Sequence, residues 1–117
     1  MNKKLQGELL KMFKRDQESI YANIKRHNNI RNKNTKRLCQ IIKKAGWPSA
    51  DIVGENGEMA AWLIVQHADN NIKFQEKCLQ LINDLSKTKK RKGHSAYLAD
   101  RVLVNKKQKQ LLLIHMD

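Results

Sequence analysis

Glu58-Met59-Ala60-Ala61-Trp62-Leu63-Ile64-Val65-Gln66-His67-Ala68-Asp69 is the stretch on which the fold turns. Its seven central residues are apolar on every side, so at this length it is either the buried central helix of a bundle or a buried strand. Its alanines, Met59 and the acid at its start favour helix. The apolar run ends in Gln66-His67-Ala68-Asp69-Asn70-Asn71, which places polar groups at the end of the most buried element.

Outward from this element, the spacing predicts helices on both sides. Upstream, Leu5, Leu9, Met12, Phe13, Ile20, Tyr21 and Ile24 recur at three-and-four spacing and predict one helix over about residues 3–27. Asp16 and Gln17 fall on or beside that apolar stripe. Asn28-Asn29 and Asn32-Lys33-Asn34 read as a break, after which Asn34 or Thr35 caps a short helix ended by Gly46. Trp47-Pro48 must leave helical geometry, and Ser49 to Gly57 reads as a loop. Downstream, Asp69 or Asn70 caps a helix over about residues 71–86, where Gln75 interrupts an inward face of Ile72, Cys78, Leu79, Ile82 and Leu85. Ser95 then caps a helix on which Tyr97, Asp100, Arg101 and Val104 share a face, read as a buried ion-bearing one. The expected fold is all-α, a single compact domain of about five helices with its core at about 3–105. A basic loop is expected at 87–94, and a tail at 106–117 stays open between a short strand and a helix end.

Composition bounds the function. The chain has 117 residues and a net charge of +13, which suits one domain. Residues 1–44 carry 13 basic and 3 acidic side chains, 45–86 carry 2 and 6, and 87–117 carry 9 and 2. Such segments can meet the phosphates of nucleic acid, with Lys33-Asn34-Thr35-Lys36-Arg37 and the loop Lys87-Thr88-Lys89-Lys90-Arg91-Lys92-Gly93 as the contacts. The simpler reading is a solvated surface, since 18 of the 24 cations are Lys, which lacks the planar fork that reads bases. No apolar run is long enough to cross a bilayer, and the start lacks an apolar signal core, so the protein is expected in the cytoplasm with no membrane partner. Cys39 and Cys78 match no zinc spacing or disulfide framework and read as reduced thiols. No phosphate loop, nucleophile elbow or metal cluster is present, so no cofactor is expected.

Five places put polar groups where helical periodicity expects apolar ones: Asp16/Gln17, Gln66/His67, Asp69, Gln75 and Asp100/Arg101. Left unpaired inside the protein, each costs about 1–3 kcal/mol or more, so they are expected to converge and satisfy one another or face a cleft. Two readings use the same atoms. In one, Arg101 bridges Asp16 or Asp100 and the cluster is structural. In the other, His67 is an acid or base oriented by Asp69, Asp16 or Asp100, and Arg101 with Gln66 and Gln75 clamps a small anionic or amide-bearing ligand. Trp47 is core or pocket wall.

The order Asp16-Gln17, Gly46-Trp47-Pro48, Val53-Gly54, Ala61-Trp62-Leu63-Ile64-Val65-Gln66-His67-Ala68-Asp69, Phe74-Gln75 and Ala96-Tyr97-Leu98-Ala99-Asp100-Arg101-Val102 resembles a bacterial family catalogued only as a domain of unknown function. The resemblance spans about residues 9–110. The chemistry of the side chains makes His67, Asp100 and Arg101 the catalytic candidates and Asp16, Gln17, Trp47, Gln66, Asp69 and Gln75 the ligand-binding ones, and the resemblance implies that these nine are signature residues. It implies no reaction. Family members continue with Gln-x-Tyr-Gly-Thr-Gln, whereas this chain reads Gln110-Leu111-Leu112-Leu113-Ile114-His115, so a truncated or frame-shifted end is expected.

Overall fold

A computed structural model describes residues 1–85 and 92–114, and within these every regular element is an α-helix. The order is α1 (Lys3–Ser19), α2 (Ile24–Ala45), α3 (Ala50–Gln66), α4 (Ile72–Leu85) and α5 (Lys92–Ile114). The chain divides into two compact units, Met1–Ala68 and Asp69–Asp117. In the first, α1 packs on α3 and α2 packs on both; in the second, α4 packs on α5.

The expected single helix over 3–27 is corrected: α1 stops at Ser19 and α2 starts at Ile24. Asn23, in extended geometry, caps α2 by accepting from the Arg26 amide at 2.9 Å. Ile20, Tyr21 and Ile24, whose spacing continues the stripe, lie exposed at this corner. The expected break at Asn28–Asn34 is also absent, because those residues run through the middle of α2. Asn34 is no cap. It is buried, and its Nδ2 donates to the Met12 carbonyl at 2.9 Å, tying α2 to α1.

Gly46 ends α2 as expected, at φ 79°, a left-handed backbone that glycine adopts without penalty. The expected loop at Ser49–Gly57 is instead helical from Ala50, with a kink at Gly54, where φ is 76° and ψ 166°. Two turn-forming glycines suggested a loop, but only Gly54 leaves helical geometry. The central helix holds Val53, Ala60, Ala61, Ile64 and Val65 in the core against Leu9, Met12, Leu38 and Ile41 of the same unit.

In the second unit α4 forms close to its expected bounds, but the side chain that accepts from the Phe74 amide, at 3.1 Å, belongs to Asn71 rather than Asp69 or Asn70. Phe74, Cys78 and Ile82 of α4 and Leu98 and Val102 of α5 are buried. Of the loop expected at 87–94, residues 87–91 lie outside the described residues and 92–94 belong to α5, so Ser95 lies inside a helix and does not cap one. The tail question resolves to helix as far as Ile114; residues 115–117 lie outside the described ones. No described helix is long and apolar enough to cross a membrane.

Candidate functional site

Five of the eight polar residues singled out by periodicity form two bonded groups, Asp16 with His67 in the first unit and Asp69 with Gln75 and Arg101 in the second. In the first unit Asp16 follows Leu9 and Met12 down the buried stripe of α1, and its carboxylate is 1% exposed. His67 forms the C-terminal cap position of α3. Packing of α3 on α1 brings the two together, with His67 Nδ1 2.6 Å from Asp16 Oδ2. The other carboxylate oxygen, Oδ1, accepts from Arg31 Nε of α2 at 3.1 Å. Phe13, one turn before Asp16, lies beside the imidazole with ring centroids 6.1 Å apart.

Burial pushes the Asp16 carboxyl upward, but the hydrogen bond and charge of His67, and then those of Arg31, outweigh it and leave the group below the usual carboxylate value of 3.8. An ionised carboxylate can only accept, so the proton in the His67 contact sits on Nδ1. For the neutral ring, that assigns the tautomer. Nε2 is then the nitrogen left for chemistry, and among the described residues no side chain bonds it. His67 is half-buried, with 27% of its side chain exposed, so water or a small molecule can reach the ring.

A neighbouring pair fails the same test. Ser19 Oγ lies 2.6 Å from His27 Nδ1 and 2.7 Å from the Asp16 backbone carbonyl. Ser19 has one hydroxyl proton, which must point at the carbonyl, so His27 donates to Oγ and does not take its proton. The pair fastens the end of α1 to α2 and leaves Ser19 no activated nucleophile.

In the second unit Asp69 collects every partner. Arg101 donates to it through both Nε, at 2.8 Å to Oδ1, and Nη2, to Oδ2. Asn105, one turn further along α5, donates to Oδ1 at 2.9 Å and to Gln75 Oε1 at 2.9 Å, and Gln75 Nε2 reaches Oδ1 at 3.4 Å. Burial raises the Asp69 carboxyl, but the Arg101 and Asn105 hydrogen bonds, the Arg101 charge and the Gln75 contact together leave it below 3.8. The carboxylate partner of Arg101 is therefore Asp69, where the sequence suggested Asp16 or Asp100. Asp100, Arg101 and Val104 are all exposed, so the expected buried ion-bearing face of α5 is not formed by them, and the burial of Tyr97 lies outside what is described; among the described residues of α5, Leu98, Val102 and Asn105 are buried. Beside this group an open groove of about 560 Å³ is lined by Asp69, Lys73, Arg101, Asn105, Gln108 and Lys109, among others.

The remaining expected site residues fall elsewhere. Gln17 is exposed on α1. Gln66 is half-buried at the end of α3. Trp47 is buried, and its indole N–H donates to Glu58 Oε2 at 2.9 Å, which makes it part of the core. Sequence reasoning missed Arg31, Asn105 and Glu58. The signal for Arg31 was its register: with Asn34, Leu38, Ile41 and Ile42 it follows the inward spacing of α2. Cys39 and Cys78 form no disulfide. Among the described residues no group of three or more His, Cys, Asp or Glu side chains could hold a metal.

These features define an all-α chain carrying a buried carboxylate that holds a half-exposed histidine, together with a second carboxylate saturated by arginine and amides. The chain belongs to the family of unknown function DUF6624, whose model matches residues 20–116. The matched span takes in Arg31, Trp47, His67, Asp69, Gln75 and Arg101 and begins after Asp16. No curated protein and no solved structure matches the chain.

Proposed function

We propose that the chain binds a small polar ligand at His67 and performs hydrolase-type proton transfer there, with Nε2 as the acid–base atom. The observation that carries this reading is the 2.6 Å contact between Nδ1 and the buried Asp16 carboxylate. A carboxylate behind an imidazole fixes the tautomer and stabilises the imidazolium formed when Nε2 takes a proton. Arg31 on the second oxygen keeps that carboxylate charged. A water within about 2.6–3.2 Å of Nε2 can then pass its proton to the ring as its oxygen adds to an electrophilic centre, and the ring returns the proton to the leaving group. In this reading Asp69, Gln75, Arg101 and Asn105 hold α4 to α5, while exposed Asp100 and Gln17 carry no chemistry.

A thermal-shift screen against a library of small polar and anionic metabolites, run on the wild type and His67→Gln, tests the reading. Trp47 and Trp62 fluorescence reports that the variant is folded. Compounds that raise the wild-type Tm and leave His67→Gln unmoved support it. A library that shifts neither protein, with His67→Gln changing stability alone, makes the pair structural and overturns it.

A further inference from the structure

The exposed side of α2 is the most strongly charged surface in the first unit. Its 22 residues include no Asp or Glu. Arg31 and Arg37 are engaged with Asp16 and Glu8. The other six cations, Lys25, Arg26, Lys33, Lys36, Lys43 and Lys44, are exposed and among the described residues have no acidic partner. At 3.6 residues per turn they fall within a sector of about 100° along a helix about 33 Å long, and Asn29, Asn32 and Gln40 fill the gaps between them. The opposite side, with Asn34, Leu38, Ile41 and Ile42, is buried.

At the head of this stripe, where α1 turns into α2, Tyr21 is 93% exposed. It borders a groove of about 450 Å³ whose wall includes Arg15, Arg26 and Ile30, together with Glu18, whose carboxylate is paired with Lys14 at 4.0 Å. A solvated phenol ring beside two guanidinium groups is what an unpaired base with its phosphate requires: a stacking face and charge-assisted donors. Lysines along a helix neutralise successive phosphates as point charges, while amides add donors without reading sequence.

We propose that α2 and the α1–α2 corner bind single-stranded nucleic acid, the phosphate backbone running along the lysine stripe and one base stacking on Tyr21. This surface is separate from the chemistry proposed for His67. An anionic bilayer fits less well. A helix lying in a membrane surface needs an apolar face along its length to bury, and that face of α2 is already packed inside the unit. A duplex offers Tyr21 no unpaired base. At roughly 3.4 Å per phosphate in a stacked strand, or about twice that when extended, the stripe spans roughly five to ten phosphates.

The test is fluorescence anisotropy with a labelled 12-nucleotide single strand of mixed sequence, the matching duplex, and a parallel pelleting assay with vesicles of zwitterionic and anionic phospholipid. With about five phosphates neutralised, affinity for the single strand should fall about a hundredfold between 50 and 200 mM salt. Replacing Lys25, Lys36 and Lys43 together by Gln should reduce the salt slope by about two, with helicity unchanged by circular dichroism. Tyr21→Ala should weaken binding at least fivefold at an unchanged slope, and Tyr21→Phe should restore it. His67→Gln should bind as the wild type does. Absence of oligonucleotide binding at 50 mM salt overturns the proposal, as does a triple variant with the wild-type slope. Duplex binding as tight as single-strand binding, or charge-dependent binding to vesicles alone, overturns it too.

Discussion

Asp16→Asn is the perturbation that separates the histidine pair from ordinary packing. The carboxylate is 1% exposed and accepts from His67 at 2.6 Å and from Arg31 at 3.1 Å. Asn keeps the shape but offers one oxygen where two were used, and its NH2 must face one of the two donors. Hydrogen bonds to charged groups contribute about 1.5–3 kcal/mol each, and the partners keep about a quarter of their side chains in water, so the expected net loss is about 2–3 kcal/mol. For a unit of this size that lowers Tm by roughly 10–20 °C. Both tryptophans, Trp47 and Trp62, belong to Met1–Ala68, so intrinsic fluorescence reports this unit alone. The pH dependence adds a second check. The folded carboxyl lies below its ordinary value, so its stabilisation is complete above the unfolded value of about 3.8 and disappears as pH falls through the lower, folded one. Wild type and Asp16→Asn should therefore differ most at neutral pH and converge well below pH 4. Equal stability at pH 7, or a gap that persists unchanged into acid, would refute the assignment of Asp16 as an ionised anchor.

Other substitutions test the rest of the framework. Asn105→Ala removes the amide that bonds both Asp69 and Gln75 at 2.9 Å and should cost about 1–3 kcal/mol, read as faster hydrogen exchange in α4 and α5. Trp47→Phe keeps one aromatic ring but loses the pyrrole part of the buried indole and its 2.9 Å bond to Glu58, and should cost at least about 2 kcal/mol in urea unfolding followed by far-ultraviolet circular dichroism. Gly54→Ala should destabilise by more than about 1 kcal/mol, because φ is 76° and an added Cβ would meet Gln6 Nε2 at 2.8 Å. Gly7→Ala should do the opposite and stabilise by about 0.5–1 kcal/mol, since Gly7 lies inside α1 with open space where a methyl would go.

The sequence was legible where one local signal had no rival. Gly46-Trp47-Pro48 marks the end of α2, the all-apolar run marks α3, and Asp16 stands out because Leu9 and Met12 precede it at helical spacing. It misled where identical residues serve different ends. Asn23, Asn28, Asn29, Asn32 and Asn34 are equally good caps in isolation, and only the Asn34 bond to Met12 and the Asn23 bond to Arg26 decide which one starts the helix. Ile20, Tyr21 and Ile24 kept an apolar period across a corner that leaves all three in water. Of the candidate site, periodicity found Asp16 and Gln75, which are buried, His67 and Asp69, which are half-buried, and Arg101, which is exposed and reaches Asp69 from α5. It paired Arg101 with the wrong carboxylates because partner choice depends on how helices pack, which spacing within one helix does not encode. Arg31 was hidden among eight cations of α2, although its register with Leu38 distinguished it.

Nitrogen-15 NMR of the His67 imidazole, recorded where the ring is neutral, reads directly which nitrogen holds the proton. The arrangement with Asp16 requires a protonated Nδ1 and an open Nε2, and a reversion toward the tautomer common in free histidine when Asp16 becomes Asn. A neutral ring protonated at Nε2 in the wild type, or a tautomer mixture indifferent to residue 16, would mean that the carboxylate does not hold the histidine and that no base stands ready at this position.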